Sequence, residues 1–151
     1  MWHTVLIAGH AITGSVALLA GCVAHRGRVL FGTYLWSLTA CVALLVAAVG
    51  EQWARLDNPE RGLFGAFAVL GLVLLWLAFG AARLPAPSRR YVDRVGFTLV
   101  ALADAFVVIT VLNAGAPVAV VVAAGVVVAG LGHVVLRVAK ARLPERTLVQ
   151  P

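Results

Sequence analysis

Charged residues cut this chain into long uncharged runs, and the length of those runs limits what it can fold into. Residues 1–25 hold no Asp, Glu, Lys or Arg, and neither do residues 29–50 or 62–82. From Val95 to Leu136 the only one is Asp104. An α-helix rises about 1.5 Å per residue, so a hydrocarbon core about 30 Å thick takes about 20 apolar residues. Each of the first three runs therefore predicts one spanning helix. The fourth covers 42 residues, enough for two helices and a turn. Asn113-Ala-Gly-Ala-Pro117 supplies that turn: Asn and Gly tolerate left-handed backbone, and Pro suits a helix's first turn.

Composition closes off the alternatives. Hydrophobic residues make up 62% of the 151 and charged residues 12%, against about 45–50% and about 25% in soluble domains. A compact domain of this size hides only about two-thirds of its chain's surface, so a soluble fold is excluded. Disorder is excluded too, since disordered segments are poor in apolar residues. A membrane β-barrel alternates apolar and polar residues over strands of about ten, whereas these runs are continuously apolar. The expected fold is all-α: a polytopic integral membrane bundle of five transmembrane helices at about 3–24, 30–52, 62–82, 95–113 and 117–138. One domain covers 1–151, with a short polar tail at 139–151.

The net charge of +6 would suggest nucleic acid on a soluble protein. Here the cations sit in loops, where positive charge orients helices, and no nucleic-acid partner is expected. Arg26, Arg28, Arg83, Arg89, Arg90, Arg94, Arg137, Lys140, Arg142 and Arg146 fall on one side of a five-helix topology. Arg55 and Arg61 fall on the other, offset by Glu51, Asp57 and Glu60. The positive-inside rule then predicts the N-terminus outside and the C-terminus inside. Trp2, Trp36, Trp53, Trp76 and Tyr34 lie mostly near span ends, as amphipathic anchors do. The preference for Arg over Lys and the abundance of Ala, Val, Gly and Leu point to a GC-rich bacterial genome, hence to a bacterial cytoplasmic membrane. The cationic loops make Arg83, Arg89, Arg90, Arg94, Arg137, Lys140 and Arg142 candidates for contact with lipid head groups.

Leu19-Ala20-Gly21-Cys22 has the pattern of a lipidation box. A signal peptide needs a positive segment ahead of its apolar run, and residues 1–18 contain no Lys or Arg, so Cys22 is read as an ordinary helix residue. Cys41 lies at a different depth, which argues against a disulfide. Small residues recur at helical spacing: Gly14, Ala17 and Gly21 with His3 and His10 on the first helix, and Gly115, Ala119, Ala123 and Gly125, Ala129, His133 on the fifth. Such rows let membrane helices approach closely.

Ionisable residues inside a bilayer are costly and are commonly functional or paired. Asp104 is about 13 Å and His10 about 12 Å below the outer surface by helix rise, whereas His133 is about 24 Å deep. His10 and Asp104 therefore form the candidate intramembrane polar site, with His3, Glu51 and Gln52 as a candidate outer entrance. Such a pair suits a proton relay, a metal, a haem or quinone anchor, or a hydrogen bond that fixes helix register. No zinc spacing, phosphate loop or nucleophile elbow occurs. The favoured expectation is a small membrane protein acting through intramembrane contacts, with partner subunits, a second copy or an apolar ligand. The alternative is a redox or proton-handling protein built on His10 and Asp104.

Overall fold

The computed structural model describes residues 2–143. They form five α-helices in the order α1 (Trp2–Val23), α2 (Arg28–Gln52), α3 (Asn58–Ala81), α4 (Arg89–Asn113) and α5 (Val118–Ala141), with a short 3-10 turn at Ala24–Arg26 between α1 and α2. All five are long and apolar enough to cross a membrane. The five-span, all-helical fold is thus the one expected, and the sequence of the polar tail beyond Leu143 lies outside the described residues.

The helices overrun the uncharged stretches, mainly at α3, α4 and α5. Charge ends the part of a helix that sits in hydrocarbon, but it does not end the hydrogen-bonded helix. Arg and Lys are good helix formers, so turns continue into the interface. α4 starts at Arg89 rather than Val95 because the Ser88 hydroxyl caps it, accepting from Tyr91 N–H at 3.2 Å. α3 starts at Asn58-Pro59, with proline in the first turn where its missing N–H costs nothing. α5 runs to Ala141 rather than 138.

Two compact units emerge, residues 1–83 and 84–151. In the first, α1 and α2 pack together and α2 packs on α3. Small residues on α1 and at the turn after it make this possible: Gly14, Ala17, Ala20, Gly21 and Ala24 are buried. Across from them α2 buries Tyr34, Leu38 and Cys41. Tyr34 and Leu38 are wholly enclosed, and Phe31 sits against Tyr34 with ring centroids 5.7 Å apart. On the other side of α2, a methyl added at Gly71 of α3 would meet Val42 Cγ1 at 3.2 Å, so a glycine sets that spacing too. Arg61 Nε–H donates to the Trp53 carbonyl at 3.1 Å, tying the start of α3 to the end of α2.

The second unit is the antiparallel hairpin of α4 and α5. Its turn is the one expected, closed by a Schellman motif: Gly115 adopts φ +76°, Gly115 N–H bonds Leu112 O at 3.0 Å and Ala116 N–H bonds Val111 O at 3.3 Å. Pro117 follows and begins α5. From there Gly125 opposes Val108 and Asp104, Gly132 opposes Val100, Leu136 opposes Gly96, and Lys140 reaches Asp93. The pairs keep one antiparallel register from the turn to the charged end. Of the small-residue rows expected on α5, only Gly125 lies on the packed face. The other glycine on that face is Gly132, seven residues on and outside the expected rows, while Ala119, Ala123, Ala129 and His133 are exposed. Sequence spacing picked out Gly125 but missed Gly132 and the rotation of the helix.

Candidate functional site

Six threonine and serine hydroxyls within the described spans are spent locally. Thr13, Ser15, Thr33, Thr39 and Thr110 each donate to the carbonyl four residues back in the same helix, and Thr98 to that of Val95. This satisfies polar groups where the bilayer supplies no water. It leaves His10 and Asp104 as the distinctive polar side chains deep in the spans.

His10 is half-buried on α1 and reaches across to α2. Its Nδ1 lies 2.8 Å from the Cys41 carbonyl oxygen, with Cys41 Sγ 3.3 Å away beside the same nitrogen. A carbonyl only accepts, so Nδ1 carries the hydrogen. In the neutral ring Nε2 then holds the lone pair. Cys41 is buried and Cys22 exposed, and both are free thiols, as their depths led one to expect. The cross-helix partner of His10 was missed in the sequence, where Cys41 read as a packing residue only. The short α1–α2 connection was the available signal, since in an antiparallel pair joined by Ala24–Gly27 the middle of α1 lies level with the middle of α2.

Asp104 belongs to the α4–α5 hairpin. A methyl at Gly125 would lie 3.4 Å from Asp104 Oδ1 and 3.3 Å from Val108 Cγ2. Glycine thus leaves the notch that the carboxyl group occupies on α5. Oδ1 is closed off there with no hydrogen-bond partner, although the residue as a whole is only half-buried. An orphaned carboxylate oxygen at such a depth is costly as an anion. His10 and Asp104 are thus placed by different units, each with its own glycine or carbonyl contact.

The proposed entrance residues lie near helix ends. Glu51 is exposed and Gln52 half-buried in the last turn of α2, with the Gln52 carbonyl accepting from Arg55 N–H at 2.8 Å. The His3 side chain lies outside the described residues. Of the lipid candidates, Arg83, Arg89, Arg90, Arg137 and Arg142 are exposed, Arg94 is half-buried, and Lys140 pairs with Asp93. That ion pair was also missed, because it depends on the register of the hairpin. Among the described residues no group of three or more His, Cys, Asp or Glu side chains converges as metal ligands. Comparison with protein-family models, curated proteins and solved structures found no match to this chain.

Proposed function

We propose that this protein works through helix–helix contacts inside the bilayer, as an accessory or scaffold subunit. One observation supports this reading above others: α5 has no buried residue. It meets α4 through one half-buried face and leaves Ala119, Ala123 and Gly130 exposed, and a methyl at Gly130 would touch nothing within 4 Å. Lipid tails are as apolar as valine, so a smooth row of this kind gains most from close backbone approach by another helix. A second reading, a proton-handling or cofactor-binding protein, is favoured by His10 alone. With Nδ1 tied to a backbone carbonyl, its Nε2 lone pair is oriented as in an imidazole that ligates a metal or haem, or accepts a proton.

One preparation separates the two. A photo-crosslinker at position 123 or 130, activated in native membranes, should give one defined protein adduct, with a second copy or with another subunit, and the purified protein should be colourless. Adducts with lipid alone would overturn the contact reading. A Soret band or stoichiometric metal that disappears in His10→Leu would establish the second reading.

The orientation proposed with this function has the N-terminus outside and the C-terminus inside, resting on the division of cations between the two sides. In a background lacking Cys22 and Cys41, an impermeant thiol reagent added outside should label Asn58→Cys and leave Ser88→Cys unmodified. Labelling of position 88 would reverse the orientation.

A further inference from the structure

Capping and register bring the cations of two helices to one end of the α4–α5 hairpin. Ser88 starts α4 early enough that its first turns carry Arg89, Arg90, Asp93 and Arg94. The late end of α5 carries Arg137 and Lys140, with Arg142 at the C-cap. The Lys140–Asp93 ion pair joins these two ends, and the close Gly96–Leu136 contact holds the helices together just inside them. Asp93 is the only acid on these turns, and Lys140 neutralises it. Arg90, Arg137 and Arg142 project exposed guanidinium groups at this end, and Arg94 lies one turn above Arg90 on the same side of α4.

Helix dipoles do not set the sign of this end. The positive N-terminus of α4 and the negative C-terminus of α5 lie together, and their partial charges offset each other. The field is that of the arginines. Guanidinium groups form bidentate pairs with phosphate oxygens, and a membrane-spanning hairpin ends at the level of phospholipid head groups. Tyr91, on the first turn of α4, stands at the same level as an interfacial aromatic.

We propose that the charged end of the α4–α5 hairpin is a binding site for anionic phospholipid head groups, with Arg90, Arg94 and Arg137 as the phosphate-holding residues. The site uses the two helices as a clamp whose spacing is set by glycine and whose own acid is already consumed. Setting topology requires only that positive charge be present. Lipid binding requires that the charges converge, as the hairpin register makes them do.

The test is lipid retention by the full-length protein in detergent, where orientation plays no part. Protein exchanged into micelles containing equal phosphatidylglycerol and phosphatidylcholine is examined by native mass spectrometry. Wild type should retain phosphatidylglycerol at least threefold over phosphatidylcholine, and the preference should fall as salt rises, because exposed charges are screened. The triple variant Arg90→Gln, Arg94→Gln, Arg137→Gln should lose the preference. Arg55→Gln with Arg61→Gln, at the other side of the spans, should keep it. Equal retention of the two lipids by wild type, or a preference indifferent to salt, would overturn the proposal without reference to any variant. A triple variant that keeps the wild-type preference would overturn it as well.

Discussion

Gly132→Ala is expected to destabilise the protein by roughly 2 kcal/mol, the middle of the range for overpacking a fitted interface. The added methyl would lie 2.5 Å from both γ-carbons of Val100 and 3.1 Å from its Cβ. Val100 is β-branched and holds essentially one χ1 rotamer in a helix, so its side chain has nowhere to turn. The backbones of α4 and α5 must separate instead. Separation weakens the neighbouring contacts of Gly96 with Leu136 and Gly125 with Val108, and lipid offers no hydrophobic force to close the gap again. Gly96→Ala is the milder case, because the atoms it meets are the far end of a flexible leucine. Gly130→Ala is the internal control: its new methyl meets nothing within 4 Å, so it should stay within about 0.5 kcal/mol of wild type or gain slightly from helix propensity. Unfolding in mixed micelles with rising dodecyl sulfate reads all three. Equal midpoints for the Gly132 and Gly130 variants would show that the hairpin does not pack as described.

Tyr34→Ala should cost about 3 kcal/mol or more, the scale for truncating a buried aromatic. Tyr34 is completely enclosed, and it is the largest such side chain among the described residues. Its removal leaves a void in the packed α1–α2 pair, where the buried α1 residues Ala17, Ala20 and Gly21 are too small to fill it. The tilted contact with Phe31 is lost with it. Tyr34→Phe keeps the ring and should cost no more than about 1.5 kcal/mol, the scale of one hydrogen bond. A loss for phenylalanine as large as that for alanine would assign the stability to the hydroxyl group rather than to packing.

The pair of polar residues picked from depth shows where sequence reasoning stops. His10 and Asp104 stand out because little else inside the spans is ionisable, and both are distinctive polar groups in the structure. Their immediate neighbours were not legible. His10 bonds the carbonyl of Cys41, and a backbone carbonyl has no sequence signature at all. Asp104 rests against Gly125, a residue that read as part of a packing row without a stated partner. Depth along a helix follows from counting residues. The direction a side chain points around the axis does not.

The number of spans, their approximate limits and the turn at Asn113–Pro117 were determined by the sequence itself. They depend on the length of uncharged runs and on the local chemistry of Gly and Pro, both of which act within a few residues. The extra turns of α3, α4 and α5, the choice of Gly132 over Ala129 as a contact residue, the His10–Cys41 bond and the Lys140–Asp93 pair were decided only by tertiary structure. The physical reason lies in the uniformity of the helices. A soluble helix marks its buried face by contrast with a polar one. These helices are apolar all round, so hydrophobicity cannot tell one rotation from another, and close steric fit between glycine and its facing side chain makes the selection.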